Sequence, residues 1–564
     1  MMLKEVFPIL GWLRGYRWHE QGWQDALAAV MITAMLIPQS LSYALLAGMP
    51  VQAGIYASIL PLLAYAVFGT SSTLSVGPMA VTSLMSASTI AAAQRQLGVD
   101  AFTAAAVFAL ITGGFLLLMG LLRLGFVANL MSVPVLSGFT NASVIVIIWP
   151  QLRQLADVPP HGSWHNAHVV ALLVGMVAVA LLWWGKARLP GLLARIMPEK
   201  HAGSWSKTMP LLVLVATGLF SYFGGLADHL NIVGTVPAGL PALRLPDAGW
   251  PVWRYFLVPS LLMALVVYVS AISVGQVLAA RRGERIHPNQ ELVGLGAANV
   301  ALAVSGAFPV TGGFSRSAVS YEAGAQTQMA AVFTALLMAA SVLWLAPLFA
   351  PLPKSVLAAV VIVSVAGLFD SSVFRRLWRF HRGEWLVMMT TFAVSLLWRL
   401  DAGIAVGMLA SFVLYIAQSV KPHMAEIGRL PGSESFRNVQ NYAVETWPQI
   451  LSLRIDDSLQ FFNRDYLCES VLRQTADKPQ VQQVILQCHG INAVDYSAAE
   501  ALLKLNTQLA EKGIGLSLSE VKKPVMQQLE KLGLAETLNQ QIYLTHNEAV
   551  EAALNRNRVW FADL

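Results

Sequence analysis

Charged residues and cysteines are scarce in this sequence. Asp, Glu, Lys and Arg together make up 12% of its 564 residues, whereas a soluble protein carries roughly 25%. Its two cysteines, Cys468 and Cys488, exclude a disulfide scaffold and are expected as reduced, buried thiols. The eleven histidines form no pair at metal-ligand spacing, so we expect no metal and no cofactor. A nucleophile–base pair and a phosphate loop are also lacking, which argues against an enzyme.

Apolar residues are abundant instead, and they are unevenly distributed. They make up 56% of the chain, and its mean hydropathy is +0.58. Through the first three quarters of the chain, apolar stretches of about 20 residues follow one another, and that length crosses a bilayer. Further on, charge returns to values typical of soluble proteins. We therefore predict an interfacial N-terminal segment, a membrane domain, a linker and a small cytosolic domain, at 1–24, 25–420, 421–440 and 441–564.

Hydropathy predicts fourteen α-helical membrane spans, two of them of half length. They divide into two halves of seven, and because seven is odd the halves must be inverted relative to each other. Asp25 is expected at the start of the first span, where a carboxylate favours the helix dipole. The predicted spans are 25–44, 51–68, 78–93, 101–121, 127–149, 166–184, 209–226, 254–280, 290–307, 314–325, 327–349, 353–369, 384–399 and 402–419.

The lysines and arginines of the loops favour a cytoplasmic N-terminus. An even number of spans then places the C-terminal domain in the cytoplasm as well, and we expect the inner cell membrane. The net charge of +6 lies mostly in these loops, which favours a lipid surface over a nucleic acid as partner. Six of the loop cations fall on the outer side, and thirteen fall on the cytoplasmic side: Arg123, Lys186, Arg188, Arg195, Lys200, Lys207, Arg281, Arg282, Arg285, Arg375, Arg376, Arg379 and Arg382.

Two short segments interrupt the apolar pattern with glycine and proline, and each begins the third span of its half. Residues 75–80 read Ser-Val-Gly-Pro-Met-Ala, and residues 308–317 read Phe-Pro-Val-Thr-Gly-Gly-Phe-Ser-Arg-Ser. Irregular backbone at membrane depth is tolerated only where it is buried in protein or lines a cavity. A matched pair of breaks therefore indicates the binding site of an inverted-repeat transporter, and Arg316 adds an intramembrane cation.

The chemistry of the two breaks suits an anion. Half-helices that begin near the middle of the membrane present free N–H groups and positive dipole ends. The backbone from Pro78 to Ala80 and from Phe314 to Arg316 would supply them, with Pro78 in the first helical turn, where its missing N–H costs nothing. Glycine at 312 and 313 would allow close approach. Ser315 offers a hydroxyl, and Arg316 offers a positive field.

Several long motifs resemble one known family. The stretch Ile-Pro-Gln-Ser-Leu-Ser-Tyr-Ala-Leu-Leu-Ala-Gly-Met-Pro at 37–50 is similar to the signature of the SulP sulfate permeases, the solute-carrier 26 anion transporters. The resemblance implies that Gln39 and Tyr43 line the pocket and that Met79 and Phe314 flank the anion with apolar walls. Further blocks that resemble the family, in its order and spacing, lie at 54–56, 68–78, 289–292, 308–312 and 315–318.

The same resemblance implies an architecture and a mechanism. A core domain of spans 1–4 and 8–11 would move against a gate domain of spans 5–7 and 12–14, in the fold that nucleobase transporters share. Members of the family are typically homodimers with contacts through the C-terminal domain and the last span. The implied activity is secondary active transport of an inorganic anion.

The C-terminal part resembles a STAS domain, a small α/β unit. A buried strand at 484–488, a helix at 497–509, a strand at 514–518 and a helix at 524–532 alternate. Ile491 to Ser497 resembles the STAS loop, in which an Asp-Ser-Ser turn opens a helix. Ser497 matches the serine that is phosphorylated in related soluble antagonists, whereas Asp495 or Ser497 would also suit a helix N-cap, which we favour over phosphoregulation.

One position departs from the family pattern and bears on ion coupling. Many similar bacterial permeases carry a glutamate in the eighth span, where this chain has Ser270. A membrane-buried carboxylate could couple transport to protons, and serine cannot. Without this carboxylate we predict no proton carrier. The family resemblance makes sulfate the first expected substrate, while bicarbonate, chloride and dicarboxylates remain alternatives. A membrane-anchored regulatory protein is a further alternative, and a nucleobase carrier is disfavoured by Ser270 and Arg316.

Overall fold

The computed structural model describes the protein as two compact units, Met1–Ser411 and Phe412–Leu564. The first unit is helical apart from a two-stranded ribbon, and the second contains a six-stranded sheet. Lys200 and Lys207, which were counted for the orientation, lie outside the described residues. The structure describes residues 7–130, 132–158, 168–195, 208–223, 230–235, 237, 239–241, 243–531, 533–538 and 541–562.

The helices of the first half follow the predicted spans. A two-residue strand, β1 (Val76–Gly77), precedes the third span, whose helix begins two residues later than predicted. The helices are α1 (Ile9–Trp12), α2 (Trp18–Leu46), α3 (Val51–Tyr56), α4 (Leu60–Phe68), α5 (Ala80–Leu97), α6 (Ala101–Leu121), α7 (Val133–Leu155), α8 (Val169–Leu193) and α9 (Met209–Phe223), with a 3-10 helix at Leu124–Leu130.

The second half repeats this order. Its strand β2 (Thr311–Gly312) again precedes a short third helix. The helices are α10 (Trp250–Arg282), α11 (Pro288–Ala303), α12 (Phe314–Glu322), α13 (Met329–Trp344), α14 (Ala346–Phe349), α15 (Lys354–Ala366), α16 (Ser372–Phe380), α17 (Arg382–Leu397) and α18 (Leu400–Val420).

Each of the fourteen predicted spans overlaps at least one helix. In the part of the chain that the structure describes, seven helical stretches are individually long and apolar enough to cross a membrane. The other spans correspond to helices that are shorter or more polar, such as Met209–Phe223, Met329–Trp344 and Lys354–Ala366. The number fourteen itself stays a prediction.

Glycine allows α6 and α11 to pack closely against each other. A Cβ atom on Gly113 would lie 2.7 Å from the Val300 backbone nitrogen, and one on Gly296 would lie 2.8 Å from Leu117 Cγ. Because lipid tails are as apolar as leucine, helix association in a membrane depends on such close packing. α11 precedes the second broken segment in the sequence, and α6 follows α5, the half-helix that begins at the first.

Glu291, in the first turn of α11, is buried and holds the end of α4. Its carboxylate accepts hydrogen bonds from the Tyr65 hydroxyl at 2.6 Å, the Thr70 backbone N–H at 2.8 Å and the Ser71 backbone N–H at 3.2 Å, and also from the Thr70 hydroxyl. A buried carboxylate must be satisfied in this way, because charge without partners is costly in a low-dielectric environment. The motif at 289–292 therefore fixes the ends of two spans.

Asp25 has a different place from the one predicted. Helix α2 begins at Trp18, so Asp25 lies in its second turn rather than at its start. The fully buried Asp25 carboxylate accepts hydrogen bonds from Gln326 N at 2.6 Å, Thr327 N at 3.3 Å and Thr327 Oγ1 at 2.8 Å. The prediction was wrong because the polar, aromatic residues before Asp25 are also helical. Asp25 instead ties the first span to the segment after α12.

The second unit is a six-stranded sheet with helices packed against it. Its strands are β3 (Met424–Arg429), β4 (Phe436–Asn438), β5 (Ile450–Ile455), β6 (Gln483–Gln487), β7 (Gly515–Ser519) and β8 (Ile542–Tyr543), in the spatial order β4-β3-β5-β6-β7-β8. The helices are α19 (Arg464–Asp477), α20 (Tyr496–Ala510), α21 (Lys523–Glu530), α22 (Leu534–Thr537) and α23 (His546–Ala562).

The sheet begins earlier in the sequence than the predicted domain boundary. β3 and β4 both lie within 421–440, the segment predicted as a linker, and β3 pairs antiparallel with β5. The strands from β5 to β8 are parallel, and every residue of β6 is buried. Burial raises the pKa of the unpaired Cys488 thiol, next to β6, to about 12, so it stays protonated at neutral pH.

Candidate functional site

The two broken segments lie side by side in the first unit. β1 and β2 pair antiparallel, with Val76 opposite Gly312 and Gly77 opposite Thr311. The Gly313 N–H donates to the Ser75 carbonyl at 3.1 Å and extends the ribbon by one step. Since α5 and α12 each begin directly after a strand of this ribbon, the pairing brings their N-termini together.

Buried side chains from neighbouring helices hold the ribbon in place. Asn299 of α11 donates from Nδ2 to the Val310 carbonyl at 3.1 Å and accepts from the Val310 N–H at 3.0 Å. The Thr311 hydroxyl donates to the Val267 carbonyl of α10 at 2.7 Å. These bonds satisfy extended backbone that would otherwise be unpaired in a bilayer. Sequence reasoning missed Asn299, although a buried amide in an apolar span is a usable signal.

Both half-helices begin at an extended residue without a capping side chain. Met79 precedes α5 with φ −138° and ψ 147°, and Gly313 precedes α12 with φ −98° and ψ 125°. The N–H groups of the first turns, from Ala80 and from Phe314 onward, are therefore not occupied by an N-cap side chain. Pro78 lies before the cap rather than in the first turn, because residues 76–79 are extended; the predicted position of Pro78 was wrong.

Arg316, in the first turn of α12, is buried between the two breaks with 2% of its surface exposed. Its Nη1 donates to the Pro78 carbonyl at 2.8 Å, and Gln39 Oε1 lies 3.4 Å from the same nitrogen. Nε and Nη2 are buried without a hydrogen-bond partner among the described residues. No carboxylate of the described chain lies within ion-pair distance of this guanidinium.

The Arg316 guanidinium fits against the backbone at Gly77 and Gly313 because glycine has no Cβ atom. A Cβ atom on Gly313 would lie 2.7 Å from Arg316 Cζ and Nη2, and one on Gly77 would lie 3.4 Å from Nη2. One glycine precedes each half-helix, so the guanidinium lies against the backbone of both breaks. A larger residue at 313 would displace it.

The remaining predicted pocket residues differ in burial. Gln39 and Tyr43, one turn apart on α2, are 6% and 7% exposed, and Tyr43 shares an apolar cluster with Ala80. Met79 is half-buried, and the side chains of Ser315 and Phe314 are exposed. The structure thus brings Gln39 and Pro78 to Arg316 and brings Tyr43 to Ala80.

Ser270, the predicted coupling position, lies on α10 and is half-buried. It is about one turn beyond Val267, whose carbonyl accepts the Thr311 hydroxyl. The position is therefore on the helix that supports the second break, and it carries no ionisable group.

In the second unit, Asp495 caps helix α20. Its Oδ1 accepts from the Ala498 N–H at 2.8 Å, and its Oδ2 accepts from the Phe461 N–H at 2.7 Å. Of the two predicted cap residues, Asp495 takes the role, while Ser497 lies half-buried within the first turn. A regulatory role for either residue stays a prediction.

The first unit is a helical membrane unit in which two half-helices meet at a ribbon, and the second is an α/β unit. Together they define the class as a multi-pass membrane transporter with a C-terminal α/β domain. Residues 23–391 match the family model of the sulfate permease family, and residues 441–549 match that of the STAS domain. The chain belongs to the sulfate permease family.

Named relatives extend over nearly the whole chain. It is 31% identical over 576 residues to sulfate transporter 4.1, chloroplastic, of Arabidopsis thaliana. That match covers 97% of this chain and 82% of the relative. It is 30% identical over 561 residues to a probable sulfate transporter of Mycobacterium tuberculosis, with 97% of this chain and 99% of the relative covered.

A solved structure shares the fold. The murine solute carrier 26 family member A9 anion transporter superposes with a TM-score of 0.89 at 22% identity, covering 98% of this chain and 95% of that one. The predicted family and the predicted helical membrane fold with a STAS domain are confirmed, and the protein is a transporter rather than an enzyme.

Proposed function

We propose that this protein carries sulfate across the inner cell membrane and binds it between the N-termini of α5 and α12. The observation that carries the proposal is the Arg316 guanidinium, which is buried at the two breaks with Nε and Nη2 unpartnered. The choice of sulfate is supported by relatives that are named sulfate transporters.

The unpartnered edge of Arg316 matches an oxyanion in geometry. Nε–H and one Nη2–H of a guanidinium point in parallel and can bind two oxygens of one anion. Nη1 faces away from that edge and is held by the Pro78 carbonyl. This fork favours oxyanions such as sulfate over a spherical ion such as chloride, for which two parallel donors offer no geometric match.

Electrostatics favours the same ligand. A buried cation without a counter-ion costs several kcal/mol of solvation free energy, and a bound anion offsets this cost. The first-turn N–H groups of α5 and α12 add positive dipole ends without full charges. Ser315, exposed in the first turn of α12, adds a hydroxyl donor. Binding through one cation and several dipoles leaves the anion free to dissociate on either side.

The transport step in this proposal is alternating access. The core domain, which contains both breaks, moves against the gate domain and exposes the anion to each side in turn. Because Ser270 cannot carry a proton at physiological pH, we expect uptake that does not depend on a proton gradient.

Assembly and orientation form part of the same proposal. The N- and C-termini face the cytoplasm, as the loop cations favour, and two copies associate through the STAS domain and the last span. Helix α18 suits a surface shared with lipid or a second copy, because Leu409, Phe412 and Tyr415 are 65%, 52% and 68% exposed. Cross-linking of single cysteines placed along α18 would test this association.

The experiment that tests the function is labelled sulfate uptake into proteoliposomes with and without an inward proton gradient. We expect uptake by the wild type that is indifferent to the gradient, loss of uptake in Arg316→Ala, and partial uptake in Arg316→Lys. Arg281→Ala, which removes an exposed arginine at the end of α10, is the matched control.

Unlabelled bicarbonate, chloride and a dicarboxylate are included as competitors. Unchanged sulfate uptake in Arg316→Ala would contradict the site. If sulfate were not transported under any condition while a competitor anion was, the substrate assignment would be wrong although the site could stand.

A further inference from the structure

Helix α16 connects two membrane spans and has one basic side and one apolar side. From the sequence we assigned the arginines of this helix to a loop and did not recognise their helical spacing. Ser372, Arg375, Arg376 and Arg379 follow the i, i+3, i+4, i+7 pattern and fall within about 100° of the helix circumference. The other side carries Val373, Phe374, Leu377, Trp378 and Phe380.

Aromatic contacts fix the orientation of this helix against α17. The rings of Phe374 and Phe392 meet edge to face with centroids 5.5 Å apart, and those of Trp378 and Trp385 meet with centroids 4.7 Å apart. Leu377 is buried beside them. The three arginines are correspondingly exposed on the opposite side.

The basic side borders a cavity and is only partly neutralised. Asp370 Oδ2 accepts from Arg376 Nη2 at 2.9 Å, and Asp370 Oδ1 accepts from the Ser372 N–H at 2.9 Å and from the Ser372 hydroxyl at 2.5 Å. Arg375 and Arg379 have no acidic partner within ion-pair distance in the described part of the chain. A cavity of about 330 Å³ is lined by Ser371, Ser372, Arg375, Arg376 and Arg379.

We propose that this cavity binds the phosphate group of an anionic phospholipid. Helix α15 ends at Ala366 and α17 begins at Arg382, so α16 lies where two spans leave the membrane, at the depth of the headgroups. The guanidinium groups of Arg375 and Arg379, which Asp370 does not hold, can donate to phosphate oxygens. Phe380, which is 81% exposed next to the basic side, suits the adjoining acyl region, which a free anion would not require.

Binding of phosphatidylglycerol to the purified full-length protein tests this proposal. The lipid, in a short-chain form, is titrated and followed by native mass spectrometry, with phosphatidylcholine as the neutral lipid. Each arginine near an anionic surface raises the binding affinity about fivefold, so loss of two should weaken binding about 30-fold. We expect this loss in the double variant Arg375→Gln, Arg379→Gln, and retained binding in the double variant with lysine at both positions.

The matched control is Arg281→Gln with Arg285→Gln, which removes two exposed arginines from the end of α10 and the loop after it. Unchanged binding in this control supports the proposal, whereas equal loss in both glutamine variants would show non-specific attraction and overturn it. Displacement of the lipid by excess inorganic phosphate would also overturn it, because the site would then be one for free oxyanions. None of these readouts uses sulfate transport, so they are independent of the proposed function.

Discussion

Replacement of Gly313 by alanine should weaken sulfate binding without unfolding the protein. The new Cβ would lie 2.7 Å from Arg316 Cζ and Nη2, whereas ordinary contacts begin near 3.4 Å. The guanidinium must therefore retreat by roughly 0.7 Å, which disturbs the 2.8 Å bond from Nη1 to the Pro78 carbonyl and turns the free edge away from the anion. The backbone at Gly313 has φ −98°, which alanine adopts without strain.

The size of the effect follows from the cost of overpacking. Added methyl groups in packed sites cost about 1–3 kcal/mol, which corresponds to roughly 5- to 150-fold in sulfate affinity if the cost falls on the bound state. Gly77→Ala offers a graded comparison, because its Cβ would lie 3.4 Å from Nη2, an ordinary contact. We expect its affinity to change by about threefold or less.

The assay is isothermal titration of sulfate into the purified protein, combined with thermal unfolding of each variant. Gly114→Ala is the neutral control, since its Cβ would meet nothing within 4 Å. Gly113→Ala is the packing control, because its Cβ would clash with Val300 and should lower the unfolding temperature more than the affinity. Wild-type affinity in Gly313→Ala, or an equal loss in Gly77→Ala, would refute the reasoning.

Three further results are expected. Glu291→Ala should lower the free energy of unfolding by about 3 kcal/mol, because several buried donors lose their shared acceptor, and thermal unfolding would show this as a reduced transition temperature. Burial lowers the pKa of His546 to about 4 in the folded protein, whereas the unfolded value is near 6.5. The difference contributes about 3 kcal/mol to the free energy of unfolding above pH 6.5, and this contribution is lost as pH falls from 6.5 toward 4. Hydrogen exchange of α23 at pH 7.5 and pH 5 would measure this loss, and His546→Asn should abolish the pH dependence. Ser270→Glu should make sulfate uptake sensitive to a proton gradient, and uptake that stayed indifferent would argue against a coupling role for this position.

The positions of the membrane helices were predictable because the bilayer imposes a length and a composition on each span. The two breaks were predictable for the same reason, since glycine and proline are conspicuous in an apolar background. Their pairing was not predictable, because nothing local relates Val76 to Gly312 across more than 230 residues. The hydrogen bond from Arg316 to the Pro78 carbonyl depends on that register and was missed with it.

Other differences arose where local patterns had more than one solution. Asp25 has the residue type of a helix cap, but the helix continues before it, and its partners lie about 300 residues away. The segment 421–440 has the polarity of a linker, yet Phe436 and Ile427 are buried in the sheet of the second unit. The amphipathic pattern of α16 was present in the sequence and could have been found by testing for helical spacing.

The central claim is that sulfate binds at the free edge of Arg316 between the two half-helices. Selenate has the shape and charge of sulfate, and its selenium atom can be located by anomalous X-ray diffraction from crystals soaked in it. We predict an anomalous peak about 4 Å from Arg316 Cζ, near the starts of α5 and α12, that is lost in Arg316→Ala crystals. A peak elsewhere in the membrane domain, with none beside Arg316, would contradict the proposed site.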